Sequence, residues 1–297
     1  MKLRARRPWR SSLTSIGESL SGKSVRWVID IADLRFEISD LRLGNCMPDI
    51  ITCFKWVVDE AYIRKTSSGA LDFSSVDYKI GEYDRNAIEE AVRLRESHGG
   101  KVTALSVGTP ESSKGIKDAL SRGCDEACFV ADAGFKDMEP SQTAAILSEV
   151  ISSKIKFDLI ICGEGSSDLY AQQVGPRIAD SLGVPCICFV QKLRIEGNAI
   201  IADRRAENVT EIVTCQMPAL ITVLPEINTP RIPGVRDTLM ASKKPVITVN
   251  RGELGTFPSE KLKVIGLAAA AMERNCVKFG TDDAGVNGFV NAVRKGI

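Results

Sequence analysis

The residues best suited to chemistry lie in one run, CGEGSSDLYAQQVGP, residues 162–176. A short apolar run, residues 159–162, has the length of a buried strand. Gly163, Glu164, Gly165, Ser166, Ser167 and Asp168 follow as a small polar loop. From Leu169 the pattern reads as a helix, with Val174, Ile178 and Leu182 on one stripe, stopped by Gly183 and Pro185. A strand, a Gly/Ser loop and a helix N-terminus converge N–H groups on one point, and the helix dipole adds about half a positive charge there. That combination suits a phosphate. GEGSSD matches neither the dinucleotide pattern GxGxxG nor the Walker loop, so the loop alone does not specify which phosphate.

Other chemistry-bearing residues are less suggestive. Nine cysteines and one histidine occur in 297 residues. Cys186 and Cys188, and Cys124 and Cys128, fall in strand-like apolar runs and read as buried structural thiols. His98, beside two glycines, reads as a solvated helix C-terminus. The charge balance, 39 basic against 38 acidic residues, implies no nucleic-acid partner. No apolar run is long enough to cross a membrane, and the cysteine usage suits reduced thiols in a cytoplasmic protein.

The elements that must position the loop read in order. Residues 1–46 are rich in Arg and Ser at their start and are expected to be a poorly ordered extension before a natural start at Met47. Residues 50–57 form a nearly continuous apolar strand, and residues 59–78 a polar excursion resembling a hairpin. Asp84 caps a helix whose buried stripe is Ala87, Ile88, Ala91, Val92 and Leu94. Strands follow at 101–107, 127–130 and 159–162, with helices at 112–122 and 142–153 between them. This alternation predicts an α/β fold, a doubly wound parallel sheet. Ligands of such sheets sit beyond the carboxyl ends of the strands, where Cys53, Val107 and the Gly163 loop all fall. Runs at 187–195, 199–205 and 210–216 read as an antiparallel addition, and 219–224 as a core strand. A proline-punctuated loop spans residues 225–236. From Thr238 the periodicity is weak, and the segment reads as an arm packed on something other than this core. The domain expectation is therefore 1–46 extension, 47–240 α/β domain and 241–297 C-terminal arm.

Several runs together resemble the electron-transfer flavoprotein beta subunit over about residues 47–255. IITCFKWVVDE, KIGEYDRNAIEEAVRL, VTALSVGTP, DALSRGCDEA, CGEGSSDLYAQQVGPRIADSLGVP and PALITVLPEINTPRIP fall in the family's order. The SSDLYAQQVG run is most similar to the FixA-like branch, whereas many relatives carry Gln where Ser166 stands and small residues where Leu169 and Tyr170 stand. The resemblance implies a Rossmann-like, adenine-nucleotide-binding fold. It implies a heterodimer with an alpha subunit carrying FAD, while this chain holds AMP or a second FAD. It implies an electron carrier with no catalytic residues or metal of its own, with bifurcating NADH-dependent activity only alongside the alpha subunit.

Carried over by motif, the nucleotide site comprises Cys53, Gly81, Glu82, Tyr83, Asp84, Val107, Gly163, Glu164, Gly165, Ser166, Ser167, Asp168, Gln172, Gln173 and Val174. Residues 163–167 would serve phosphate. Asp168 would cap the helix or hold a ribose hydroxyl, the cap being favoured. Tyr83 resembles an aromatic position near the alpha-subunit flavin. Residues 228–236 are similar to a loop that docks partner dehydrogenases, with Val235 the apolar anchor and Arg231 a structural or docking charge. Branch membership implies partners such as acyl-CoA reductases, in anaerobic acyl-CoA or carnitine metabolism, or electron supply to nitrogen fixation. A nucleotide-binding regulator of the stress type is the alternative. An adenylating hydrolase would need a serine-rich pyrophosphate loop near residues 55–60, and KWVVDE is not one.

Overall fold

The computed structural model describes residues 47–66, 70–255, 262, 265–267 and 276–296; the extension expected at residues 1–46 lies outside them. The chain divides into two compact units, Met1–Val58 with Tyr78–Leu262, and Asp59–Asp77 with Lys263–Ile297. In chain order the strands and helices begin with β1 Asp49–Cys53, β2 Trp56–Val58, β3 Arg64–Lys65, β4 Leu71–Asp72 and β5 Tyr78–Ile80. They continue with α1 Glu82–His98, β6 Lys101–Gly108, α2 Ser113–Ser121, β7 Glu126–Ala131, α3 Pro140–Lys154, β8 Leu159–Gly163 and α4 Val174–Leu182. The remainder is β9 Cys186–Glu196, β10 Ala199–Arg205, β11 Thr210–Gln216, β12 Ala219–Val223, α5 Val235–Ala241, β13 Val246–Asn250 and α6 Asp283–Arg294.

The larger unit is built on a nine-stranded sheet in the order β11-β10-β9-β12-β8-β1-β6-β7-β13. Seven strands from β9 to β13 run parallel, and β10 and β11 extend the β9 edge antiparallel. The central strands β8, β1 and β12 are buried along almost their whole length, and mostly apolar, because both faces are covered. Ile50, Leu159 and Ile161 face α1 and α2, whereas Ile51, Ile160 and Cys162 face α3 and α4. Each fully buried Ile contributes about 1.5–3 kcal/mol by leaving water. The fold is thus the doubly wound, mostly parallel α/β architecture that the strand and helix alternation implies. In the smaller unit β3 and β4 pair antiparallel, as the polar excursion suggested. Its α6 leaves Val286, Phe289, Val290 and Val293 exposed.

Four local expectations are corrected. The run at 50–57 is two strands, because Phe54 and Lys55 leave the sheet and β2 pairs with β5 instead. The helix expected from Leu169 begins at Val174, because Tyr170 and Gln172 take left-handed φ values of 45° and 56° that a helix cannot contain. The helix expected to be capped by Asp84 begins at Glu82 with Gly81 as its cap residue, so Asp84 lies inside the first turn. Finally, the stretch beyond Thr238 supplies β13, which pairs residue for residue with β7 through Ile247 and Cys128.

Replacing Ile161 with Ala removes a fully buried side chain from the middle of the sheet. The expected loss is about 2–5 kcal/mol of unfolding free energy. Urea denaturation measures it.

Candidate functional site

Strands β8, β1 and β6 are neighbours and parallel, so their carboxyl ends form one rim. Cys53 closes β1 opposite Cys162, and Gly163 follows Cys162 out of β8. Val107 lies near the end of β6, one strand away. The site residues inferred from sequence are therefore distributed along this rim and the loops leaving it.

Asp84 joins the segments. Its Oδ2 accepts from the Lys55 N–H at 2.8 Å, which turns the chain out of β1. A Cβ on Gly163 would stand 2.6 Å from Asp84 Oδ1 and 2.8 Å from Tyr83 Cβ, so the α1 N-terminus packs directly on the end of β8 and admits only glycine there. Burial raises the Asp84 carboxyl to about 7, against the opposing pull of the Lys55 N–H and charge. Asp168 lies on the other side of Lys55, whose Nζ donates to its Oδ2 at 2.6 Å. Burial pushes Asp168 up, but the Lys55 charge and its hydrogen bonds outweigh this and hold it below the usual carboxylate range. This half-exposed pair contributes about 0.2–1 kcal/mol; its effect is positional. The cap favoured for Asp168 is not formed, since α4 starts six residues later and Asp168 accepts from Lys55 and the Leu169 N–H.

The loop at 163–173 is compact. Tyr170 lies against Gly165, where a Cβ would approach its ring to 2.6 Å. The same ring sits 5.3 Å from that of Tyr83, and a hydrogen bond between the two phenols, with burial, pushes Tyr83 up to about 12. Glu164 turns inward. Its Oε2 accepts from the Phe189 N–H at 2.9 Å and from the Thr222 hydroxyl, tying the loop to β9 and β12. Burial raises the Glu164 carboxyl, partly offset by these donors. Gln173 precedes α4 and accepts from Arg177. Among the described residues, the N–H groups of Gly165, Ser166, Ser167 and Asp168 meet no protein acceptor. Four successive free donors in a tight turn, beside a lysine, fit an anionic ligand.

Arg231 and Val235 belong to a separate region, the segment between β12 and α5. Three polar residues on one face of α1 hold it. Asn86 Nδ2 donates to the Pro225 and Asn228 carbonyls, Asn228 Nδ2 to Glu90 Oε2, and Arg231 Nε to Glu89 Oε2 at 2.8 Å. Arg231 also reaches Glu96 at 2.8 Å. Glu89 is only 4% exposed; burial raises its carboxyl, and Arg231 and Arg93 bring it to a net lowered value. Arg231 thus ties this segment to α1. Beyond it Ile232 and Val235, 93% and 82% exposed, point outward with Leu239. An open cleft of about 490 Å³ runs beside this segment, lined by Arg85 and Arg122 among others.

The family model described as "Electron transfer flavoprotein domain" matches residues 69–254. The chain belongs to this family. Electron transfer flavoproteins are flavin-associated electron carriers that work as heterodimers with a partner subunit, and they are not enzymes of the ordinary kind. Among the described residues no helix is long and apolar enough to cross a membrane.

Sequence reasoning missed Lys55, Tyr170 and the polar face of α1 as organising residues. Asn86, Glu89 and Glu90 recur at helical spacing beside the apolar stripe, and that signal was available. Lys55 meets Asp168, and Tyr170 meets Tyr83, across long stretches of sequence that gave no such sign. Cys186 and Cys188, read as buried, are exposed and half-buried respectively.

Asp84 binds a proton in the folded chain between its unfolded value of 3.8 and about 7, so its contribution is full below 3.8 and is lost as pH rises through 7. Urea titrations should show Asp84→Asn flattening the pH dependence across that window, by about 1.4 kcal/mol per unit at its steepest. Arg231→Ala should cost about 1–3 kcal/mol and raise amide exchange at residues 228–233, because buried Glu89 loses a partner.

Proposed function

We propose that this chain is the beta-type subunit of a heterodimeric electron-transfer flavoprotein and that its Gly163 loop holds an adenine nucleotide. The observation that carries the reading is the run of four unpaired N–H groups at residues 165–168, beside Lys55 and at the carboxyl rim of the sheet. Those groups, with the Ser166 and Ser167 hydroxyls, would hold phosphate. Cys53 and Val107, at neighbouring strand ends, would border the base, and Tyr83 and Tyr170 would form an aromatic wall of the site. Lys55, paired with Asp168, sets an ammonium group beside the loop.

The nucleotide is AMP or a second FAD, and a further FAD belongs to the interface with an alpha-type subunit. Bound flavin supplies the one- and two-electron chemistry. This chain's own residues bind, orient and shield. The exposed Ile232, Val235 and Leu239, on a segment braced by Arg231, offer an apolar docking point for a dehydrogenase, with Val235 as the anchor. The exposed apolar residues of α6 suit contact with the alpha-type partner. The SSDLYAQQVG run favours the FixA-like branch, and with it acyl-CoA or carnitine-linked reduction or electron supply to nitrogen fixation.

Co-expression with an alpha-type subunit, followed by denaturation and nucleotide quantification, tests the reading. A one-to-one complex holding FAD and AMP makes the Gly163 loop the seat of a non-redox nucleotide. Two FAD and no AMP place a second flavin there. A chain that forms no such complex and binds ATP as a homodimer instead contradicts the proposal and favours a regulator of the stress type.

A further inference from the structure

Strand β9 carries two thiols in the pattern Cys-Ile-Cys, and the strand is bulged where they stand. Its register against β12 advances from Ile187 to Val190 while β12 advances only from Ile221 to Val223. The extra residue forces Phe189 to a φ of 61°, left-handed for a bulky side chain. Residues two apart on a strand share a face. Here the bulge gathers them further, and the two sulfurs are 3.6 Å apart. A disulfide needs about 2 Å between sulfurs, so bond formation requires a closure that side-chain rotation at a bulged strand can supply. Cys186 is exposed and Cys188 half-buried, which gives a dissolved oxidant access to the pair.

The electrostatics suit one thiolate beside one thiol. A hydrogen bond from Cys186, opposed by burial and assisted by Thr222, lowers Cys188 to about 7, while Arg204 favours and Glu164 resists the negative sulfur. The same shared hydrogen bond, with burial, holds the proton on Cys186. A second close thiol pair, Cys53 and Cys162, is hydrogen-bonded across neighbouring strands but buried. It lacks the access that the β9 pair has.

We propose that Cys186 and Cys188 are a reversible redox pair that closes to an intrachain disulfide under a hydroperoxide. The Cys188 thiolate attacks one peroxide oxygen; the O–O bond breaks, and water leaves with a sulfenic acid on Cys188. Cys186 then attacks that sulfur, the S–O bond breaks, and a second water departs with the Cys186 proton. Two thiols and one hydrogen peroxide thus give one disulfide and two waters, the two electrons passing from sulfur to oxygen. A small dithiol reduces the bond by exchange. Cys188 shares Thr222 with Glu164, so the pair adjoins the Gly163 loop through one side chain.

The test uses the full chain, treated with stepwise hydrogen peroxide, quenched, denatured, alkylated, digested and mapped by mass. Exposed Cys276 serves as an internal standard and Cys53 with Cys162 as the buried comparison. The expected result is joint loss of alkylation at Cys186 and Cys188, with an internal disulfide in their peptide, at doses that leave those three thiols alkylatable. Dithiothreitol should restore both. In Cys186→Ser the Cys188 sulfenic acid should persist and be trapped by dimedone. Alkylation at the pair as ready as at Cys276, separate adducts on the two sulfurs, or a disulfide formed instead between Cys53 and Cys162 would each overturn the proposal.

Discussion

The buried carboxyl of Asp84 is the contact on which the candidate site depends. It accepts the Lys55 N–H where the chain leaves β1, and it packs against Gly163 where the chain leaves β8. A carboxyl in that position costs desolvation, visible as its rise to about 7. The cost is met by a backbone donor, and it fixes the α1 N-terminus on the rim of the sheet. Lys55, turned outward by the same contact, then reaches Asp168 and sets the far side of the Gly163 loop. One buried group therefore aligns three loops from distant parts of the sequence.

Helix α1 has two functions at once. Its apolar stripe, with Ile88 and Val92 fully buried, covers the sheet. Its adjoining polar face, Asn86, Glu89 and Glu90, replaces the missing backbone ladder of the segment after β12 with side-chain bonds. A proline-punctuated segment has few ways to pair its own backbone groups, so external donors and acceptors must order it. The bracing leaves Ile232 and Val235 presented on a stiff support. Exposed apolar residues held on a rigid frame lose little entropy on binding, which is the property a docking point needs.

Much of the larger unit was legible because local and global signals agree there. The continuous apolar runs of β8 and β12, alternating with helices that carry caps and glycine stops, leave few architectures. The antiparallel β10 and β11 announced themselves by turn residues between strand-like runs. Legibility failed where the chain serves a site. Tyr170 and Gln172 break a helical pattern with left-handed backbone because Tyr170 must lie on Gly165 and meet Tyr83. Asp84 looks like a helix cap from its neighbours alone, and only Lys55 and Gly163, remote in sequence, reveal its burial. Strand β13 was obscured because it sits at a sheet edge, where one pairing partner suffices and four of its five residues stay exposed.

The central claim is that the rim formed by β1, β8 and the α1 N-terminus holds an adenine nucleotide. Amide hydrogen exchange of the chain in complex with an alpha-type subunit, with the nucleotide removed and then restored as AMP, measures this most directly. Slowed exchange at residues 165–168, with the Lys55 and Tyr83 segments following, is the predicted result, because the free N–H groups of the loop would acquire phosphate acceptors. Exchange at those residues indifferent to AMP, with protection appearing elsewhere in the chain, would contradict the account.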